Sequence, residues 1–225
     1  MGFNEKTHAF IPARYYFLLK RGFGERGVRA FVHATRHYAM QRGSRMAQRA
    51  IRDGHELTQE AYNQYGEWLP TAEIIAAGGQ NKSVDLGGRK RVFQCPWMAM
   101  FEEMDAIECR DVYCSVLDSA ISRGFNPDLG YRVEVHPAEG ICEHWLESGD
   151  IAAGAAQGRK KEYVKSFEYH CAHAFWAYRE VCAAIFGAEG ERVADAVAAD
   201  FAERFGEEMG AALQTYKDVN FNICD

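Results

Sequence analysis

Apolar residues along the first seventy positions recur at the three-to-four spacing of helices rather than the alternation of strands. From Pro12, the residues Tyr15, Tyr16, Leu18 and Leu19 mark one apolar face, and Gly22 predicts its stop. A second helix is expected from Gly27 to Asp53 on Val28, Phe31, Val32, Tyr38 and Met46, with a helical continuation over Glu56 to Trp68 punctuated by Pro70. The pattern then changes. Gly78-Gly79 and Gly87-Gly88 are turn signals around short strand candidates at Val84–Leu86 and Arg91–Cys95. Trp97–Glu108 and Asp111–Arg123 return to helical spacing and end at Gly124 and Asn126-Pro127. Tyr131–His136 and Gly140–Glu147 alternate like the arms of a β-hairpin, and the small residues of Ser148–Gly158 read as a mobile connection. Two long helices, Lys160–Phe186 and Gly190–Lys217, complete the pattern. The expected fold is α+β, a single domain over 1–225. A small antiparallel sheet within 83–147 is flanked by helical segments at 1–70 and 160–217.

Two regions echo each other. FGERG at Phe23–Gly27 and FGAEG at Phe186–Gly190 share their spacing, and the same offset aligns Gly43 with Gly206 and Met46 with Met209. This is either one helix-stop-helix-start element used twice or a coincidence of two glycine-punctuated hairpins. The first copy is basic: residues 1–60 hold 11 basic and 5 acidic side chains. The second is acidic, with 3 basic and 9 acidic side chains over residues 185–225. Packing of one against the other is therefore expected. The arginines at 26, 29, 36, 42, 45, 49 and 52 lack an aromatic stacking platform, so they predict a solvated face or one docked on an acidic helix, not a nucleic-acid reader.

Composition narrows the class without naming an activity. The chain has 225 residues, 48% hydrophobic and 26% charged, as in ordinary globular proteins. No run approaches the ~20 apolar residues of a membrane span, and MGFNEKTHAF lacks the features of a secretory signal. Seven irregularly spaced cysteines argue for reduced thiols, and the expected location is cytoplasmic.

Candidate chemistry concentrates in the middle of the chain. Cys95-Pro96 leaves a strand candidate and opens a helix, which puts the thiol beside unpaired backbone N–H groups that favour a thiolate. Cys114 and Asp118, four apart, share a helix face, and Cys142 and His144, two apart, share a strand face. His170 and His173 are three apart on a helix whose stripe of Phe167, Cys171, Ala174, Tyr178 and Cys182 makes packing histidines the simpler reading. A zinc site of Cys95, Cys114, Cys142 and a histidine is conceivable, but no paired-ligand spacing supports it. No cofactor is expected, with zinc not excluded.

The ordered set FQCPW (Phe93–Trp97), FEEM (Phe101–Met104), Glu108, YCSVLDSAISRGFNPDL (Tyr113–Leu129) and EGICEHW (Glu139–Trp145) resembles the L-2-amino-thiazoline-4-carboxylic acid hydrolase family. The resemblance spans about Val92–Glu147, with looser helical similarity through His170 and His173. Two positions depart from the pattern: Asp105, where glycine more often follows Glu-Met, and the Glu143-His144 run after Cys142. The resemblance implies an enzyme that adds water to C2 of a cyclic isothiourea and breaks the C2–S bond. Such chemistry needs a nucleophile or activated water, an acid for the leaving sulfur and a cation for the carboxylate. The expected catalytic residues are Cys95, Cys114, Asp118, Cys142, His144, His170 and His173, with Cys95 ranked first as nucleophile. Asn126, Arg132 and Glu108 are expected to contact substrate, and Arg91, Arg132 or Arg179 to clamp its carboxylate. The expected partner is a small molecule, with neither nucleic acid nor membrane, and a homo-oligomer is possible. A binding or sensor module using the same residues without turnover is the alternative, as is a zinc-dependent cyclic amide hydrolase.

Overall fold

The computed structural model describes residues 2–86 and 88–225. Met1, the first residue of MGFNEKTHAF, and Gly87, part of a predicted turn, lie outside the described residues. The helices are α1 (Glu5–Arg52), α2 (Gln59–Gln64), α3 (Ala72–Ala76), α4 (Pro96–Glu103), α5 (Ile107–Phe125), α6 (Phe167–Phe186), α7 (Ala188–Phe205) and α8 (Glu207–Gln214). The strands are β1 (Lys82–Asp85), β2 (Arg89–Gln94), β3 (Tyr131–His136) and β4 (Ile141–Leu146), in one antiparallel sheet of order β1-β2-β4-β3. The fold is α+β, with the sheet in the middle of the sequence and helices on either side of it.

Several boundaries differ from expectation for identifiable reasons. The first helix does not start at Pro12. Asn4 caps it, its Oδ1 accepting from the backbone N–H groups of Lys6 and Thr7 at 3.0 and 3.1 Å, so Pro12 lies inside α1. The first helix stops at Gly24, two residues after Gly22, where φ 55° and ψ −135° leave the helical region, so α1 consists of two helices joined at a kink, as the expected stop and restart require. In the last segment, Ser166 caps α6, accepting from the Tyr169 N–H at 3.2 Å, and Gly206 at φ 104° splits the expected final helix into α7 and α8. The Ser148–Gly158 stretch is pinned rather than loose: the Asn63 side chain donates to the carbonyls of Ile151 and Ala153 at 3.0 and 2.8 Å.

The chain forms two compact units. Unit 1 comprises Met1–Tyr38, Trp97–Tyr113 and Ser166–Val219; unit 2 comprises Ala39–Pro96, Cys114–Lys165 and Asn220–Asp225. Helices α1 and α5 each give one stretch to each unit.

Unit 1 is helical with an aromatic core that includes Tyr15, Tyr16, Phe31, Phe175, Tyr178 and Phe201, all buried. The FGxxG echo is visible in it as geometry. Gly187 repeats the backbone of Gly24, with φ 57° and ψ −134°. A Cβ on Gly27 would lie 2.0 Å from the Leu19 carbonyl oxygen, and one on Gly190 would lie 2.0 Å from that of Cys182, again eight residues upstream. Phe23 stacks on Phe186 with centroids 3.9 Å apart, and Tyr15 meets Tyr178, its partner at the same offset, at 5.1 Å. Contacts between equivalent residues are what a local two-fold arrangement produces. The expected charge pairing occurs where Arg14 Nε donates to Asp200 at 3.0 Å.

Unit 2 packs the sheet with the later part of α1, α2 and the later part of α5. Its core includes Ala39, Met46, Ala50, Ala61, Tyr65, Ile121 and Phe125. Two helices touch through glycine: a Cβ on Gly43 would lie 1.9 Å from the Ile121 carbonyl oxygen, and one on Gly124 would lie 2.4 Å from that of Met40. The arginine stripe has a different partner from the one expected. Arg42, Arg45 and Arg49 are buried, not solvated, and they converge on the buried Glu67, which is not on a helix. Arg45 also donates to the Phe221 carbonyl, and Arg49 to Asp225 at 2.7 Å, so the residues that follow Val219 are held by the same stripe.

Candidate functional site

Register and pleat place the strand residues. Opposite positions in an antiparallel pair project to the same face, so Cys142 pairs with Val92 and Val135, and His144 with Lys90 and Val133. Glu143 falls on the other face, where it accepts from Arg91 Nε at 2.8 Å. The Glu143-His144 run thus divides between two surfaces, an ion pair on one and an imidazole on the other.

On the Cys142 face, three side chains form a hydrogen-bonded chain. Cys142 Sγ lies 3.3 Å from His144 Nε2, and His144 Nδ1 lies 2.7 Å from the Tyr131 hydroxyl. Tyr131 continues to Tyr62, ring centroids 5.8 Å apart, and Tyr62 to Phe125 at 5.6 Å. Asp118 of α5 acts electrostatically on all four polar members: it raises Tyr62, Tyr131 and Cys142 and opposes the fall of His144. Burial pushes the Cys142 thiol up to about 12, reinforced by Asp118 and Cys95. Burial also holds the His144 imidazole below its ordinary value, aided by Lys90 and opposed by Asp118. The resting pair is therefore a neutral thiol beside a neutral imidazole. A neutral imidazole has one donor and one acceptor nitrogen. Either S–H donates to Nε2 while Nδ1–H donates to Tyr131, or Tyr131 donates to Nδ1 while Nε2–H donates to the sulfur. The two arrangements differ in which imidazole nitrogen carries the proton.

The predicted residues divide between the units. Cys95, Cys114, Asp118, Cys142 and His144 lie in unit 2, all but the buried His144 half-buried. Cys95 directly precedes α4, with Pro96 at its first position as expected. His170 and His173 lie in unit 1, buried in an aromatic cluster: His173 packs on Tyr38 at 4.6 Å, and His170 on Phe167 at 5.8 Å. A third histidine, His8, belongs there too. Trp97 Nε1 donates to its Nδ1 at 3.0 Å, so its Nε2–H faces the Tyr38 hydroxyl at 3.0 Å.

The expected substrate contacts have structural partners. Asn126 donates to the Leu57 carbonyl at 2.9 Å and accepts from the Asp128 N–H at 2.9 Å, capping a 3-10 turn at Pro127–Leu129. Glu108 is in unit 1, exposed, and paired with Lys20 at 2.5 Å. Arg132 is exposed and paired with Glu147. Arg91 and Arg179 pair with Glu143 and Asp195. Tyr131, Tyr62, Lys90 and Arg159 border the chemistry without having been picked from sequence. Tyr131 was within reach, since the predicted hairpin alternation already places it on the face of His144. Arg159, inside a glycine-rich connection, carries no sequence signal.

A surface groove of about 580 Å³ occurs in unit 1, lined among others by Phe10, Arg14, Phe17 and Asp200. It contains neither thiol nor imidazole, so the reacting groups of unit 2, not this groove, carry the functional argument. Among the described residues, no three His, Cys, Asp or Glu side chains converge as a metal site, all seven cysteines are outside disulfides, and no helix is long and apolar enough to cross a membrane. Searches of protein-family models, curated proteins and solved structures return no match to this chain.

Proposed function

We propose that the Cys142–His144–Tyr131 site, with Asp118, opens a small five-membered cyclic amidine or isothiourea by hydrolysis, as the resemblance over Val92–Glu147 suggests. The observation that carries this reading is the 3.3 Å contact between Cys142 Sγ and His144 Nε2, with the imidazole oriented from behind by Tyr131. A nucleophile, a base within reach and a third group orienting the base are the parts of nucleophilic catalysis. The nucleophile is then Cys142 in place of Cys95, because a thiol protonated up to about 12 needs a base at contact distance, and His144 provides one.

In the proposed reaction, Cys142 Sγ bonds to C2 of the ring and its proton passes to His144 Nε2. The C2–S bond then breaks, and the leaving sulfur takes the proton from His144. Water, deprotonated by His144, attacks the same carbon and releases Cys142, which recovers its proton; the net change is addition of one water and exposure of one thiol. Asp118, whose charge acts on Cys142, His144 and Tyr131, is suited to hold the amidine N–H groups. The test is incubation of the purified protein with 2-aminothiazoline-4-carboxylate, other cyclic isothioureas, thiohydantoins and lactams, following free thiol and ring opening. Catalytic appearance of thiol is expected from the isothioureas. Saturable binding without turnover of any ring would instead make this a binding module.

A further inference from the structure

We propose that Arg159 is the anion receptor of the unit 2 site and takes the carboxylate of a small monoanionic ligand. The inference rests on the reading above for its location, but not for its chemistry. Six other arginines are buried or half-buried: Arg14, Arg42, Arg45, Arg49, Arg110 and Arg179. Each has a carboxylate oxygen within 4.0 Å. Arg159 is half-buried and, among the described residues, has neither an ion pair nor a hydrogen bond from its guanidinium. What it has is a seat. The plane of Trp68 lies beneath it, 5.4 Å from the ring centroid to Cζ, and Gly66 lets it approach so closely that a Cβ there would lie 2.9 Å from Nε. The Lys160 N–H donates to the Gln64 carbonyl at 2.9 Å and fixes the chain beside that seat.

A desolvated guanidinium held in place with no carboxylate in contact is costly unless something completes it. Burial and the repulsion of Arg42 both weaken its hold on its proton, while Tyr62 and Asp118 oppose them. Asp118 also acts on Tyr131, Cys142 and His144, and Tyr62 on Tyr131, which locates Arg159 at the margin of the reacting groups. Arg42 shares Glu67 with Arg45 and Arg49, so its charge is only partly offset and adds to that of Arg159, on which Asp118 is the one carboxylate acting. A monoanion offsets the excess, whereas a phosphate dianion reverses it. The planar fork of arginine suits a carboxylate, and half-burial leaves a small ligand able to reach it.

Calorimetric titration with thiazole-4-carboxylate and with thiazole-4-carboxamide tests this on the intact chain, because neither ring is a substrate. The carboxylate should bind the wild type about 10- to 100-fold more tightly than the amide. Arg159→Met should erase the difference, and Arg159→Lys should keep part of it. On a turned-over carboxylate substrate, Arg159→Met should raise KM with little change in kcat. Equal affinity for carboxylate and amide in the wild type, a preference that survives in Arg159→Met, or tighter binding of inorganic phosphate would each overturn the proposal. Should Arg159→Met fail to fold, a full preference in folded Arg159→Lys would overturn it, since a point charge cannot reproduce the fork. Ring opening without this preference would sink Arg159 alone; the preference without ring opening would sink the hydrolase reading alone.

Discussion

The thiols of the two units invite comparison. Cys109, Cys171 and Cys182 of unit 1 have no exposed surface, and the Cys171 and Cys182 thiols are pushed up to about 12. Cys142 of unit 2 is pushed up to about 12 as well. The same number has different origins. Desolvation is the sole cause at Cys182, whereas at Cys142 the charges of Asp118 and Cys95 add to it and an imidazole nitrogen stands at contact distance. A perturbed pKa therefore does not mark a reactive thiol; a base in reach does. The histidines repeat the lesson. His144 joins a thiol to a phenol, while His8, His170 and His173 are buried among aromatic rings.

The largest effect should come from removing the base. His144→Ala is expected to lower turnover by about 10²- to 10⁴-fold, while Cys182→Ala leaves turnover unchanged. The pH profile of the wild type should hold its activity to a lower pH than an ordinary imidazole allows, because the folded pKa of His144 lies under its unfolded value and the neutral base persists as the pH falls. An equal loss in both variants would erase the distinction between the units.

Accessibility should separate the thiols next. Methylmercury, which displaces a thiol proton, should titrate Cys95, Cys114, Cys142 and Cys224 in the native protein. Cys109, Cys171 and Cys182 should react at least about a hundredfold more slowly, since they need an opening of the core. Rapid reaction of all seven would contradict the burial on which the comparison rests.

How much of this was readable beforehand follows from what each signal depends on. The hairpin of β3 and β4 and the shared face of Cys142 and His144 follow from period-two alternation, which is local. The buried arginine stripe was misjudged because its partners, Glu67 and Asp225, are remote in sequence from Arg45 and Arg49. Helix ends were missed where a cap or a glycine competes with propensity: Asn4 ahead of Pro12, and Gly206 within the final helical stretch. Arg159 escaped because only the fold brings it to Gly66 and Trp68.

Stability changes should follow the helix contacts. Gly27→Ala and Gly190→Ala both drive a methyl into a backbone carbonyl of unit 1, and each should cost about 1–3 kcal/mol in denaturant unfolding. Similar losses at the two sites support the two-fold arrangement; a loss at only one breaks it. The smallest effect should be a gain. Asp105 has φ 52° just after α4, with the Ala106 N–H donating to the Phe101 carbonyl at 2.7 Å, the left-handed ending that glycine adopts without strain. Glycine fits this conformation without a Cβ penalty, and Asp105→Gly should stabilise by about 0.5–1 kcal/mol. A loss of stability instead would show that the aspartate side chain supports the turn.

The central claim is that Cys142, beside His144, carries the reaction. Steady-state turnover of 2-aminothiazoline-4-carboxylate by Cys142→Ser and Cys95→Ser proteins, each confirmed folded by circular dichroism, tests it most directly. The account predicts a Cys142→Ser protein that binds substrate but does not release thiol, and a Cys95→Ser protein that retains substantial turnover. A dead Cys95→Ser protein beside an active Cys142→Ser protein would contradict it and return the nucleophile to the start of α4.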